Sequence, residues 1–242
     1  MGDRMSKVRI YGDTSGYIDV AAPATADNST LDLSTVAKTT GNQTFGGSVT
    51  VNSTTSPQLV LNRDSVGGDG MLKFQTAGTD IADLVARGNG DLWLRTNQTQ
   101  RLVIDGSGRV TMPYQPRFSA YWHDGAALRA SPATMKFNDV DVNVGNHYNS
   151  STYLFTAPIA GDYFFMFSVN SRGTGQFYNY FIKNGTQIPA GQSYTDDNAT
   201  YKMGNSSLII TLQANDTMGV YLHNGSDYQN SYQNTFCGYL IG

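Results

Sequence analysis

Every acid in this sequence is an aspartate: the nineteen acidic residues include no Glu. Two close pairs, Asp139/Asp141 and Asp196/Asp197, could do carboxylate chemistry. Glycoside hydrolysis commonly sets two carboxylates on either side of the scissile bond, so a glycan-cutting enzyme would have to use one of them. Residues 139–142 alternate Asp and Val, however, which reads as a half-buried strand with one wet face. Asp196-Asp197-Asn198 reads as a polar, solvated loop. His123, His147 and His223 stand apart from one another and from the single cysteine, Cys237, so zinc-like spacing is absent. No Gly-x-Ser-x-Gly elbow and no phosphate loop occurs. The sequence predicts no catalytic residue, no metal site and no enzyme.

Composition narrows the remaining classes. Charged residues make up 14% of the chain and its formal charge is −3, with the 16 basic residues scattered, so nothing resembles the electrostatic footprint of a nucleic-acid or anionic-membrane binder. No apolar run is long enough to span a bilayer. Met1-Gly2-Asp3-Arg4-Met5 lacks the apolar stretch of a secretory signal, which predicts assembly in the cytoplasm. Without Glu, and with 26 Gly, the chain is short of the residues that fill helix turns. An all-β fold is expected.

Tyrosine divides the chain. Only Tyr11 and Tyr17 precede Tyr114, and the division runs through Met112-Pro113-Tyr114-Gln115-Pro116, where two prolines favour an extended connector. Residues 1–25 read as an N-terminal attachment segment with short strands around Gly12-Asp13-Thr14-Ser15-Gly16. Residues 26–56 are small and polar. Such a segment cannot offset its own conformational entropy as a monomer, and reads as an extended stem wrapped against identical chains. From 57 to 113, apolar runs alternate with glycine turns: Leu59-Val60-Leu61, Met71 to Phe74, Ile81 to Val85, Leu92-Trp93-Leu94, Leu102-Val103-Ile104 and Val110-Thr111-Met112. This predicts a β-meander or β-prism stem. Ile81 to Arg87 is read as strand, with one or two helical turns as the other reading.

Residues 114–242 carry Asn-Gly hairpin signals at Lys183-Asn184-Gly185 and His223-Asn224-Gly225 and have room for eight to ten strands, as in a sandwich or jelly roll. Their most specific feature is a spaced set: Phe137, Asn143, Tyr148, Phe155, Gly161, Tyr163, Phe165 and Phe167. These residues and gaps resemble the signature of the globular heads of complement first component, subcomponent q, together with Phe155-Thr156-Ala157-Pro158 and the closing Phe236-Cys237-Gly238-Tyr239-Leu240. The resemblance implies a jelly roll shared with tumour necrosis factor ligands, a trimer, and a buried thiol at Cys237. Some members bind calcium, so Asp196-Asp197-Asn198 has a calcium ligand set as its second reading; otherwise no cofactor is expected. Period-2 spacing agrees: Tyr163, Phe165, Phe167 and Val169 share one strand face and Phe164 and Met166 the other, so the strand needs cover twice. Phe177 to Ile182 shows the same doubled aromaticity.

Tyr11 to Tyr17, Thr40-Gly41-Asn42-Gln43-Thr44-Phe45 and Arg101 to Val110 are similar to strings on the stems of bacteriophage tail fibres. The combined resemblance implies a homotrimeric virion fibre: residues 1–25 docked to tail or baseplate proteins, a stem, and a head that binds host surface polysaccharide or lipopolysaccharide. Avidity of three heads would amplify weak contacts. Tyr194, Asp196, Asp197, Asn198, Tyr228, Asn230 and Tyr232 are the loop candidates for that binding, because tyrosine faces stack on sugar rings and amides and carboxylates bond hydroxyls. The alternative is a purely structural virion fibre whose head only trimerises it. Neither nucleic acid nor membrane insertion is expected.

Overall fold

The computed structural model describes residues 7–11, 17–21, 68–122, 128–228 and 233–242, with 7–11, 17–21 and 128–130 as backbone only. The expected extended stem at 26–56 and the run Leu59-Val60-Leu61 lie outside the described residues. The chain divides into two compact units, Met1–Val60 and Leu61–Gly242. In the first, β1 (Lys7–Tyr11) and β2 (Tyr17–Ala21) pair antiparallel, with Tyr11 opposite Tyr17.

The second unit opens with a five-stranded antiparallel meander of β3 (Gly70–Thr76), β4 (Thr79–Ala86), β5 (Leu92–Thr96), β6 (Thr99–Ile104) and β7 (Val110–Thr111), in chain order. Ala77-Gly78 and Asn97-Gln98 join successive strands with φ positive at both residues, the backbone that two-residue hairpins require. Ile81 to Ala86 is strand rather than helix. Asp83 and Val85 are buried while Leu84 between them and Ala86 after them are exposed, a period of two. The buried Asp83 carboxylate receives Arg95 through both oxygens, Nε at 2.6 Å and Nη2 at 2.7 Å.

After the Pro113–Pro116 connector the strands are β8 (Arg117–Tyr121), β9 (Leu128–Ala130), β10 (Ala133–Thr134), β11 (Asp139–Val144), β12 (Tyr148–Asn149), β13 (Leu154–Thr156) and β14 (Gly161–Arg172). They continue as β15 (Gly175–Lys183), β16 (Thr186–Asp197), β17 (Tyr201–Leu212), β18 (Thr217–Asn224), β19 (Ser226–Tyr228) and β20 (Thr235–Leu240). One sheet runs β12-β13-β18-β15-β16 with β10 beside β18. The other runs β11-β8-β20-β14, with β17 on the far side of β14 and the short β19-β9 pair at its end. From β14 onward the chain keeps crossing between the two sheets, which makes the sandwich a jelly roll. Among the described residues all regular structure is β, and the expected all-β class holds.

The interior is aromatic because β14 points every second residue inward. Tyr163, Phe165, Phe167 and Val169 are fully buried, against Phe118, Phe155, Phe181 and Phe236. Each such ring removed from water stabilises the fold by about 1.5–3 kcal/mol. The spaced residues recognised in the sequence meet here. Asn143 Nδ2 donates to the Tyr148 carbonyl at 2.8 Å while the Tyr148 amide donates to Asn143 Oδ1 at 3.0 Å. A side chain on Gly161 would meet the Gly242 carbonyl oxygen at 2.8 Å.

The two Asn-Gly signals part company. Asn184-Gly185 joins β15 to β16 with φ of 50° and 76°, the expected hairpin. Asn224-Gly225 does not make a hairpin. There the chain leaves β18 in one sheet and enters β19 in the other.

Candidate functional site

The outward face of the β20-β14-β17 strands carries side chains that a water-facing sheet would not need. Phe164 lies opposite Tyr239 on one neighbour and opposite Ile209 on the other, its ring centroid 5.3 Å from that of Tyr239. One step along, Met166 lies opposite Cys237. Ile209 is 67% exposed, and Tyr239 and Met166 are exposed as well. Cys237 is half-buried, which corrects the expected buried thiol: period two puts it on the outward side of β20, between the inward Phe236 and Gly238. Burial still pushes its thiol pKa up.

The other sheet turns a different surface outward. On β15, Phe177, Asn179 and Phe181 point into the sandwich, so Tyr178 and Tyr180 lie on the other face, Tyr178 half-buried and Tyr180 buried beneath its neighbours. Tyr178 lies opposite Tyr194 of β16, and Tyr180 opposite Tyr221 of β18. Their ring centroids are 5.9 Å and 5.5 Å apart respectively, and the His223 ring lies 5.2 Å from that of Tyr178. The Tyr178 hydroxyl donates to Gln192 Oε1 at 2.7 Å and accepts from Gln187 Nε2 at 2.8 Å, which fixes the ring. Burial raises the Tyr180 phenol above its ordinary value.

With this sandwich and its spaced core residues in view, the C1q domain family model matches residues 117–241. The chain belongs to the C1q-domain family. It is 29% identical over 109 residues to Complement C1q tumor necrosis factor-related protein 3 of Mus musculus and, over the same length, of Homo sapiens. Each match takes in 43% of this chain and 43% of the relative, so the chain matches less than half the length of these curated relatives. Among solved structures, the globular domain of zebrafish complement 1qA protein is 17% identical with a TM-score of 0.43, covering 53% of this chain and 98% of that one. Murine APRIL crystallised at pH 8.5 is 11% identical with a TM-score of 0.41, covering 52% of this chain and 98% of that one.

These relatives correct one expectation outright. The curated matches are mouse and human complement-related proteins rather than virion components, so the chain is not assigned to a virion. Residues 117–241 form a C1q domain, and C1q-domain proteins are non-enzymatic. The domain's carboxylates are arranged accordingly. Asp141 is the extra residue of a bulge between Val140 and Val142, which breaks the alternation that would have set it beside Asp139.

The C1q domain rearranges the loop candidates. Tyr194, Asp196 and Asp197 are strand residues at the end of β16, not loop residues; the β15 ladder continues to Gly175 opposite Asp197. Alternation then sends neighbouring carboxylates apart. Asp196 Oδ2 accepts from the Tyr194 hydroxyl at 3.1 Å, whereas Asp197 Oδ1 accepts from the Ala199 amide at 2.9 Å and lies 3.7 Å from Lys202 Nζ. The two do not converge as a calcium pair would, and no cluster of three His, Cys or Asp side chains forms among the described residues. Asn198 is exposed in the bend that follows. Tyr228 is buried, its ring 5.8 Å from that of Tyr201, so it is not an exposed loop tyrosine. Asn230 and Tyr232 lie outside the described residues. Sequence reasoning missed Tyr178, Tyr180, Tyr221 and His223. The i, i+2 spacing of Tyr178/Tyr180 and of Tyr221/His223 was the available signal, but only the register brings them to one face.

Proposed function

We propose that this chain is a homotrimeric fibre whose C1q heads recognise a cell-surface glycan. The row Tyr239-Phe164-Ile209 carries the trimer reading. It is apolar, continuous across neighbouring strands, and on the face opposite a core that is already filled. Soluble monomers rarely leave such a row uncovered, and a second and third copy of the same sheet would cover it. The trimer-forming habit of C1q domains supports this. So does the meander, where Leu72, Phe74, Ile81, Leu84 and Leu94 are also exposed. Three heads on one fibre would bind a repetitive polymer with avidity, each further contact being intramolecular.

Light scattering on the full chain at rising denaturant tests the assembly. A species of three chains that dissociates as it unfolds is expected, and Ile209→Asp, which puts a charge on the row, should give monomer. A folded wild-type monomer would remove the fibre reading. Binding of the trimer to glycan-bearing cells separates recognition from a purely structural role, in which trimers form and do not bind.

A further inference from the structure

The Tyr239-Phe164-Ile209 row lies on the other sheet, and we propose that the tyrosine face of the second sheet is a carbohydrate-binding site for a neutral glycan. This rests on the glycan reading above and gives it a place and a ligand class. Tyr178 sits at the centre, flanked by Tyr194 on β16 and by His223 on β18, with Tyr221 beyond, against Tyr180; the outer strands are two strand spacings apart, about 10 Å. That span accepts two linked pyranose rings. Their C–H faces would pack on the tyrosine rings, as apolar groups do on any aromatic face.

The polar groups around the rings suit hydroxyls. Gln192 and Gln187 offer amide donors and acceptors at the Tyr178 hydroxyl, and each is exposed. Asp196 Oδ2, at the Tyr194 hydroxyl, adds a carboxylate that accepts paired O–H donors. Tyr194 is 56% exposed and presents its ring directly. Because the Tyr178 ring is already held at its hydroxyl, little side-chain freedom remains to be lost on binding.

Charge selects the class of glycan. β16 and β18 contain no Lys or Arg, and β15 has only Lys183, at its hairpin end and ion-paired with Asp216 at 2.8 Å. A sulfated, phosphorylated or uronic-acid polymer would find no unpaired lysine or arginine on the three strands that carry Tyr178, Tyr194 and His223, and would be repelled by Asp196. A neutral polyol fits both the rings and the lone carboxylate.

The test uses the full chain on an array of neutral cello-, malto- and galacto-oligosaccharides beside heparin and polygalacturonate. Tyr194→Ala and Gln192→Ala change exposed residues and preserve the core, and Tyr201→Ala, on the other sheet, is the control. Wild type is expected to bind a neutral oligosaccharide, Tyr194→Ala and Gln192→Ala to weaken it by about tenfold, and Tyr201→Ala to leave it unchanged. Neutral-glycan binding that survives both face variants would overturn this site and leave the glycan reading standing. Binding to the anionic polymers alone would overturn the ligand class. Binding to nothing on the array would overturn the glycan reading and this site with it.

Discussion

Tyr148 donates its phenolic hydroxyl to the Phe137 carbonyl at 2.8 Å inside the core, joining two of the residues by which the family is recognised. The same ring stacks on Phe118, centroids 4.7 Å apart and planes 4° from parallel. Burial pushes the phenol pKa far above its ordinary value, so it stays a donor wherever the protein is folded. Tyr148→Phe keeps the stacking and strands the carbonyl. The variant should lose about 1–3 kcal/mol, read as a lower urea midpoint at unchanged slope. An unchanged midpoint would mean that water reaches Phe137 and that the pair is not structural.

Gly238 is required by closeness rather than by backbone conformation. A methyl group there would run into the Phe165 ring and meet the Phe164 carbonyl oxygen at 2.9 Å, in the middle of the β20–β14 ladder. Gly238→Ala should therefore destabilise the head by about 1–3 kcal/mol. Gly242→Ala, where nothing lies within 4 Å of the added carbon, should be neutral in the same thermal melt.

The features legible in the sequence were those that spacing alone determines. The alternation Tyr163, Phe165, Phe167 needed only the pleat to predict which face is buried, and the meander runs needed only their glycine punctuation. What escaped was set by neighbours far away in the chain. Asn184-Gly185 and Asn224-Gly225 are the same dipeptide, yet a side chain at Gly225 would meet the Gln176 carbonyl oxygen at 2.6 Å, a packing constraint at a sheet crossing that local turn chemistry does not contain. Asp196 and Asp197 looked like loop residues because polar residues cluster there. The β15 ladder holds them in strand, and strand geometry separates their carboxylates. Tyr178 and Tyr194 become partners only once the Asn184-Gly185 turn and the irregularity between Tyr180 and Ile182 set the register.

Asp216 ties two turns of the head together. It accepts from Lys183 Nζ at 2.8 Å, Asn184 Nδ2 at 2.7 Å and the Gln213 amide at 2.8 Å. Those bonds, Lys183 first, lower its pKa from 3.8 to about 2. A carboxyl depressed on folding adds stability at pH above its unfolded value, and that contribution fades as pH falls from about 4 to about 2. Asp216→Asn should melt lower than wild type at neutral pH, with the difference closing across that window. A gap that persists at pH 2 would assign the loss to the amide's altered hydrogen bonding instead.

Cys237 reports on whether the outward row is covered. It lies opposite Met166 and Ser119 in the ladder, half-buried even before any second copy approaches. Its raised pKa means less thiolate at neutral pH, and thiolate is the species that alkylates, so labelling should rise with pH later than for an ordinary thiol. Covering the row with another subunit would slow it further by denying access. Iodoacetamide should therefore label the wild-type chain slowly, and Ile209→Asp about tenfold faster, both followed by intact mass under native conditions. Equal rates would show that the row is open in both proteins. The trimer would then have to be held by the meander alone, since Phe164, Met166 and Tyr239 would still face water.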